Sequence, residues 1–111
     1  MDYLISVGVE KYQDSNFSKT IYANNDAEEF CNVLKRHLKI NKSKALLDEN
    51  ASYMSVQMAI NDFMEQAEAN DRLFFYFAGH GKNFYNEPRI ACYDSDSNIG
   101  KHPESWYDLK K

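Results

Sequence analysis

The side chain of this chain that is best suited to proton transfer is His80, which stands between Gly79 and Gly81 at the end of an apolar run. A histidine side chain has an unperturbed pKa near neutral, so it can both accept and donate a proton at physiological pH. Flanking glycines let the backbone turn sharply and approach a bound substrate closely. The tripeptide therefore predicts one of two things: a catalytic histidine, or a histidine in the turn that ends a strand.

The apolar run before His80 is Leu73–Ala78, which contains three phenylalanines and which we call the Phe-rich strand. An unbroken apolar run of this length is typical of a strand that is buried on both faces of a parallel sheet. Ligands of open parallel sheets bind beyond the carboxyl ends of the strands. His80 is therefore expected at a binding edge of the sheet.

The elements around this strand alternate between strands and helices. In chain order, the sequence predicts a strand at 3–9, a helix with Asn25 or Asp26 as its N-cap, a short strand at 45–47, a helix capped by Ser52, the Phe-rich strand, a hairpin with its turn at 86–88, and a loop-like tail at 94–111. This order predicts right-handed crossovers and an α/β fold in which helices cover a mainly parallel sheet.

Composition and charge limit the class of protein. The chain has 111 residues, enough for one domain, and its 17 acidic and 13 basic side chains give a formal net charge of -4. It shows no basic stripe, which disfavours a nucleic-acid partner, and no apolar run long enough to cross a membrane. Met1 and Asp2 lead into the first strand without a secretion signal, and Cys31 and Cys92 form no disulfide framework. These features favour a cytoplasmic protein.

The turn after the first strand contains one glycine, Gly8. Dinucleotide and P-loop sites need a glycine-rich turn at this place, so the chain is not expected to bind a nucleotide in either way. A flavodoxin-like domain that binds a small molecule stays open as an alternative, although no acidic cluster lies near the first strand.

Four segments of the chain resemble, in matching order, the caspase-like cysteine peptidases, and among them the metacaspases and bacterial caspase homologues. These segments are the opening strand at Leu4–Tyr12, the entry to the first helix at Ala23–Ala27, the histidine strand at Leu73–Gly81 and the turn at Tyr93–Asp96. Together these segments span nearly the whole chain. The resemblance implies a three-layer αβα sandwich of caspase-like type with a mainly parallel sheet. It also implies the activity of a cysteine endopeptidase that cleaves proteins or peptides.

The resemblance further implies roles for three residues. His80 would be the proton-transfer half of a Cys-His dyad, and the backbone N–H of Gly81 would donate to the oxyanion. Asp26 matches a position that lines the pocket for the residue before the cut in metacaspase-like relatives, where a carboxylate would prefer Arg or Lys. A simple helix N-cap remains the alternative role for Asp26, and the two roles are compatible.

The nucleophilic cysteine of this family follows the histidine by about fifty residues, which places it beyond Lys111. Cys92 follows His80 too closely and Cys31 lies on the apolar stripe of the first helix, so both are expected to be structural. We therefore expect residues 1–111 to be the large-subunit portion of a catalytic domain, inactive alone. This portion lacks the strand that carries the cysteine and needs the rest of the domain as its partner. A catalytically inactive caspase-like binding or assembly module is the alternative.

The tail holds the remaining candidates. Asp94, Asp96 and Asp108 could offer oxygen ligands to calcium, which some relatives need, but solvated loop carboxylates are the favoured interpretation and no cofactor is expected. Trp106 and Tyr107 are large aromatic residues in a polar tail. They are expected to pack against a part of the protein outside this chain or against a partner.

Overall fold

The computed structural model describes residues 1–110, which form two sheets and two α-helices. In chain order the elements are β1 (Asp2–Gly8), α1 (Ala23–His37), β2 (Lys42–Leu47), a 3-10 helix (Asp48–Asn50), α2 (Tyr53–Gln66), β3 (Arg72–Ala78), β4 (Gly81–Phe84), β5 (Glu87–Ala91), a second 3-10 helix (Pro103–Ser105) and β6 (Trp106–Asp108). The Phe-rich strand is β3. The chain end at Lys111 lies outside the described residues.

The first sheet is parallel and has the order β2-β1-β3. Its register pairs Gly8 of β1 with Leu47 of β2 and with Ala78 of β3, so the carboxyl ends of all three strands lie at one edge. The second sheet is antiparallel and has the order β4-β5-β6. The predicted α/β fold with a mainly parallel sheet is confirmed, and it is compatible with a caspase-like αβα arrangement.

The central strand of the parallel sheet is β1, and its two faces contact different helices. From β1 and α2, the main core contains Tyr3, Ile5, Val7, Val56 and Phe63. On the opposite face, the Ser6 hydroxyl donates a hydrogen bond of 2.6 Å to the carbonyl oxygen of Ala27 in α1. Successive side chains of a strand point to opposite faces, so α1 and α2 cover opposite faces of the sheet. The result is three layers: helix, sheet and helix.

The Phe-rich strand lies at the edge of the described sheet, next to β1. Phe75 and Phe77 pack against the main core, while the ring of Tyr76 stacks on Phe30 of α1 at a centroid distance of 4.3 Å. Side chains on both faces of the strand are therefore packed, but all of residues 73–78 keep partial exposure, so the predicted burial on both faces is only partial. Within residues 1–110, β3 pairs only with β1, so its other edge presents unpaired backbone groups.

The prediction for the start of α2 is confirmed, and the prediction for the start of α1 is wrong. The Ser52 hydroxyl oxygen accepts a hydrogen bond of 3.2 Å from the Ser55 N–H and caps α2. Helix α1 begins at Ala23. Asp26 therefore lies inside the first turn of α1, and neither it nor Asn25 is the N-cap.

The cap of α1 comes from a distant carboxylate. Glu10 Oε1 accepts a hydrogen bond of 3.1 Å from the Asn24 N–H, and Tyr22, just before the helix, has a left-handed φ of 69°. The carboxylate satisfies an N–H group that has no partner inside the helix, which is the usual task of an N-cap side chain.

Within the described residues, neither helix has the length and apolar character that crossing a bilayer needs.

The hairpin turn lies at residues 85–86, earlier than predicted. Tyr85 and Asn86 have φ values of 49° and 65° and connect β4 to β5 as a two-residue turn. Two successive left-handed residues match the twist of a tight hairpin. Pro88, which suggested the turn, is part of β5.

The tail is more structured than predicted. Residues 106–108 form β6, which pairs with β5, so the segment 94–111 is not only loop. Trp106 and Tyr107 are 4% and 8% exposed. Trp106 Nε1 donates a hydrogen bond of 2.7 Å to the carbonyl oxygen of Asp96, and Tyr107 belongs to the main core. The expectation that both aromatic residues pack against something outside the chain is wrong.

Candidate active site

His80 lies two residues after the carboxyl end of β3, at the edge where all three parallel strands end. The first turn of α1 covers the same edge, because a Cβ on Gly8 would lie 2.9 Å from the carbonyl oxygen of Ala23. The Val9 N–H donates a hydrogen bond of 3.0 Å to the carbonyl oxygen of Ala78 and joins the ends of β1 and β3. His80 is therefore placed where ligands of parallel sheets bind.

The His80 imidazole is oriented by a backbone carbonyl. Its Nε2 lies 2.7 Å from the carbonyl oxygen of Ser18. A carbonyl oxygen can only accept a hydrogen bond, so Nε2 must carry the hydrogen. In a neutral imidazole the lone pair is then on Nδ1, which can act as a base. This contact selects the tautomer as well as the direction of the ring.

Aromatic side chains of the loop between β1 and α1 hold the half-buried imidazole in place. The rings of Tyr12 and Phe17 each lie 5.4 Å from the imidazole centroid. They stack on each other at 4.3 Å, and Phe17 also lies 5.6 Å from the ring of Trp106 in β6. The loop thus returns to the end of β3 and links it to the second sheet.

The direction of the Gly81 N–H follows from the hairpin register. Gly81 lies opposite Ile90, and the Ala91 N–H donates a hydrogen bond of 2.9 Å to the carbonyl oxygen of His80. His80 and Ala91 are thus a hydrogen-bonded pair. Because such pairs alternate along an antiparallel ladder, Gly81 and Ile90 are a non-hydrogen-bonded pair, whose N–H groups point away from the partner strand. The N–H of the exposed Gly81 is therefore directed away from β5, where an oxyanion could accept from it.

Gly79 and Gly81 differ in how closely other atoms approach the place where a side chain would begin. Neither has a positive φ, so the expected conformational reason does not apply. A Cβ on Gly79 would lie 2.7 Å from both the Tyr12 hydroxyl oxygen and the Phe77 ring, so a larger residue there would have to displace these side chains. A Cβ on Gly81 would meet the carbonyl oxygen of Arg89 at an ordinary 3.5 Å. The space beside Gly81 is therefore open to a ligand.

Asp26 is exposed in the first turn of α1, at the same edge of the sheet as His80. In the part of the chain that the structure describes, no hydrogen bond or ion pair engages its carboxylate. An exposed carboxylate of this kind is available to a cationic ligand. Its role in a substrate pocket stays a prediction.

Both described cysteines are unsuited to be the nucleophile. Cys92 is 0% exposed, and burial, together with the nearby charge of Asp94, raises the pKa of its thiol to about 12. The reactive thiolate is therefore scarce at neutral pH. Cys31 is buried on the inner face of α1. Both thiols are free and buried, as expected of structural cysteines.

The carboxylates near the tail hold loops together. Hydrogen bonds run from backbone N–H groups to side-chain oxygens, namely Ser97 to Asp14 at 2.7 Å, Tyr53 to Asp94 at 2.9 Å and Asn98 to Asp96 at 2.8 Å. Asp108 is buried, with one oxygen 3.8 Å from Nη2 of Arg89. Among residues 1–110, no three metal-ligating side chains come together in a group, and a calcium requirement stays a prediction.

Three residues that hold His80 were not singled out from the sequence, namely Tyr12, Phe17 and Ser18. Tyr12 lies in the opening segment that resembles the caspase-like family, which is the signal that could have found it. Phe17 is an apolar residue in a polar loop, and such a residue indicates a packing role. Ser18 acts through its carbonyl oxygen, which every residue has, so its type indicates nothing.

The sequence of the chain matches a known protein family. The family model of the caspase domain matches residues 4–104, a range that includes Asp26, His80 and Gly81. A search of the curated proteins gives no match. The family match favours the caspase-like interpretation over the flavodoxin-like alternative. The chain belongs to the caspase-domain family of cysteine peptidases, whose substrates are proteins.

Proposed function

We propose that the chain supplies the histidine half of a cysteine endopeptidase of the metacaspase-like branch, with proteins or peptides as substrates. The observation that supports this most is the 2.7 Å contact between His80 Nε2 and the carbonyl oxygen of Ser18. It leaves Nδ1 of the neutral ring without a hydrogen and able to take the proton of a thiol. A histidine that merely ended a strand would need no such orientation.

In the proposed reaction, His80 Nδ1 accepts the thiol proton and the thiolate attacks the scissile carbonyl carbon. The carbonyl oxygen becomes an oxyanion, which accepts a hydrogen bond from the Gly81 N–H. As the C–N bond breaks, the imidazolium gives its Nδ1 proton to the leaving amine, and a thioester remains. The same imidazole then takes a proton from water, whose oxygen attacks the thioester, and the proton returns to the departing sulfur. Throughout the reaction Nε2 keeps its hydrogen and donates it in a hydrogen bond to the Ser18 carbonyl oxygen.

The nucleophile of this reaction would come from outside residues 1–111, which we propose to be the large-subunit portion of the catalytic domain. The open edge of β3 in the described sheet supports this, because a further parallel strand paired there would end beside His80. Without that segment the chain is inactive. We also propose a cytoplasmic location for the enzyme, which the two free cysteines support. Neither a nucleic acid nor a membrane is proposed as a partner, and the formal net charge of -4 disfavours a nucleic acid.

The role of His80 is tested by substitution in the complete catalytic domain. We expect His80→Ala to lower the rate of peptide cleavage by about a hundredfold to ten-thousandfold, the usual contribution of a positioned proton-transfer group. His102→Ala, which removes an exposed histidine of the tail, is the matched control and should keep wild-type activity. Equal activity of His80→Ala and the wild type would exclude the proposed role.

Asp26 is the proposed specificity residue. Its exposed carboxylate at the site edge would bind an Arg or Lys side chain before the scissile bond through charge-assisted hydrogen bonds. In a positional peptide library, the complete domain should select Arg and Lys at that position, and Asp26→Asn should lose this selection. Glu29→Gln, a change at an exposed carboxylate of the same helix, is the control and should keep it. Selection of Asp or of a neutral residue by the wild type would contradict the assignment.

A catalytically inactive caspase-like binding or assembly module is the second candidate, and the burial of both described thiols favours it. The intact mass of the native protein purified from its source separates the two. A longer species in His80→Ala that is reduced in the wild type to a fragment ending at Lys111 supports a self-processing peptidase. A single species of 111 residues in both supports the module.

A further inference from the structure

The hydroxyl group of Tyr12 occupies a place in the ladder between β4 and β5. The register places His80 opposite Ala91, and one of the two bonds of this pair is present, from the Ala91 N–H to the His80 carbonyl oxygen at 2.9 Å. In a regular antiparallel pair, the His80 N–H would donate to the Ala91 carbonyl oxygen in return. Here it donates to the Tyr12 hydroxyl oxygen at 2.8 Å, and that hydroxyl donates to the Ala91 carbonyl oxygen at 3.4 Å. The phenol therefore bridges the two backbone groups.

The directions of both bonds in this bridge are fixed by chemistry. A backbone N–H can only donate and a carbonyl oxygen can only accept, so the Tyr12 hydroxyl must accept from the first and donate to the second. Burial raises the pKa of Tyr12 to about 12, against the lowering effect of the hydrogen bond from His80. The hydroxyl thus keeps its proton over the whole range in which a histidine works as a base.

The bridge fixes the backbone on both sides of the His80 Cα. Tyr12 holds the peptide group before it, and the Ala91 N–H holds the peptide group after it. Because each peptide group is planar, holding both planes sets the direction of the His80 Cα–Cβ bond and of the Gly81 N–H together. Tyr12 also lies against the imidazole ring, and its hydroxyl oxygen would lie 2.7 Å from a Cβ on Gly79.

We propose that Tyr12 is a positioning residue of the peptidase site, whose hydroxyl keeps the His80 side chain and the Gly81 N–H in one arrangement; this rests on the proposed function. Tyr12 acts through the backbone rather than on the substrate. Without the hydroxyl, β4 and β5 can close with a direct bond from the His80 N–H to the Ala91 carbonyl oxygen. That closure moves the base and the oxyanion donor at the same time.

The substitution that tests this is Tyr12→Phe, which removes the hydroxyl and keeps the ring. In the complete catalytic domain we expect kcat to fall by about tenfold to a hundredfold, as for an active site misplaced by about 1 Å, with KM almost unchanged. The amide resonance of His80 should shift in the NMR spectrum, because its hydrogen-bond acceptor has changed. Tyr53→Phe, which alters a half-buried tyrosine of the main core, is the matched control and should leave both readouts at wild-type values.

A wild-type kcat in Tyr12→Phe overturns the proposal, and so does an unchanged His80 amide resonance or an equal loss of kcat in Tyr53→Phe. If Tyr12→Phe does not fold, hydrogen exchange of the wild type decides, since slow exchange of the His80 N–H supports the bridge and fast exchange overturns it. If the wild-type domain cleaves no peptide, the proposed function fails and the positioning role with it. The His80 amide resonance then still reports whether the bridge exists.

Discussion

His80 and Cys92 lie twelve positions apart in the sequence and carry the two side chains that a cysteine peptidase needs, yet their environments are opposite. His80 is half-buried at the edge where parallel strands end, with its ring held by the Ser18 carbonyl oxygen. Cys92 is enclosed in the main core and its thiol holds its proton. The difference shows that residue type marks a candidate, whereas access and orientation decide whether the side chain can react.

The largest effect expected from this comparison is in the reactivity of the Cys92 thiol. A pKa of about 12 in place of the ordinary value of 9.0 lowers the thiolate fraction at neutral pH about a thousandfold. We therefore expect a thiol reagent to modify Cys92 at least about a thousandfold more slowly in the native protein than in the protein unfolded by denaturant. Peptide mass spectrometry at each time point separates Cys92 from Cys31. Rapid labelling of Cys92 in the native protein would contradict this prediction, because it would show that the thiol is accessible and readily ionised.

A smaller effect is expected from acid on the stability of the protein, through the loop between β1 and α1 that holds His80. Burial raises the pKa of Asp48, but hydrogen bonds from the Glu10 N–H and the Asn24 side chain outweigh burial, and the pKa is lowered overall. A carboxyl group whose pKa is lower in the folded state adds stability above its unfolded pKa, and that stability is lost as the pH falls through the folded value. The free energy of unfolding should therefore decrease below about pH 4.

The variant that isolates this effect is Asp48→Asn, since asparagine tolerates the left-handed φ of 48° at this position. It cannot ionise, so its free energy of unfolding should be lower than that of the wild type at neutral pH and should depend less on pH below about pH 4. Denaturant unfolding at a series of pH values measures both curves. Parallel curves for the two proteins would show that Asp48 does not hold the loop through its charge.

The smallest effect is expected at Ser18, and it sharpens the claim about orientation. The contact with His80 uses the backbone carbonyl oxygen, so Ser18→Ala keeps it. The complete domain with this substitution should have the kcat and KM of the wild type. A fall in kcat of about tenfold or more would mean that the hydroxyl takes part, and that the backbone alone does not orient the ring.

The Phe-rich strand and His80 were predictable because their signals are local. A continuous apolar run ends in a single titratable side chain, and both features are read within nine residues, 73–81. The α/β order follows in the same way from the pattern within each segment, as does the Ser52 cap of α2. Segments whose partners are their own neighbours are therefore well predicted.

The features that the sequence did not predict have distant partners. The start of α1 is capped by Glu10, fourteen positions from the N–H that it binds, and the imidazole of His80 is oriented by Ser18, sixty-two positions away. Trp106 is buried against Ile99 and the strand β5 rather than against a partner. Side-chain patterns within a segment do not report such contacts, least of all those made by backbone carbonyls.

The tautomer of His80 in the native protein is the most direct test of the central claim. Nitrogen NMR of the neutral imidazole distinguishes the ring nitrogen that carries the hydrogen from the one that carries the lone pair. We predict the hydrogen on Nε2, bound to the Ser18 carbonyl oxygen, and the lone pair on Nδ1. A hydrogen on Nδ1, or a mixture of the two tautomers, would contradict the claim. The lone pair would then not be held on Nδ1, the nitrogen that is proposed to take the thiol proton.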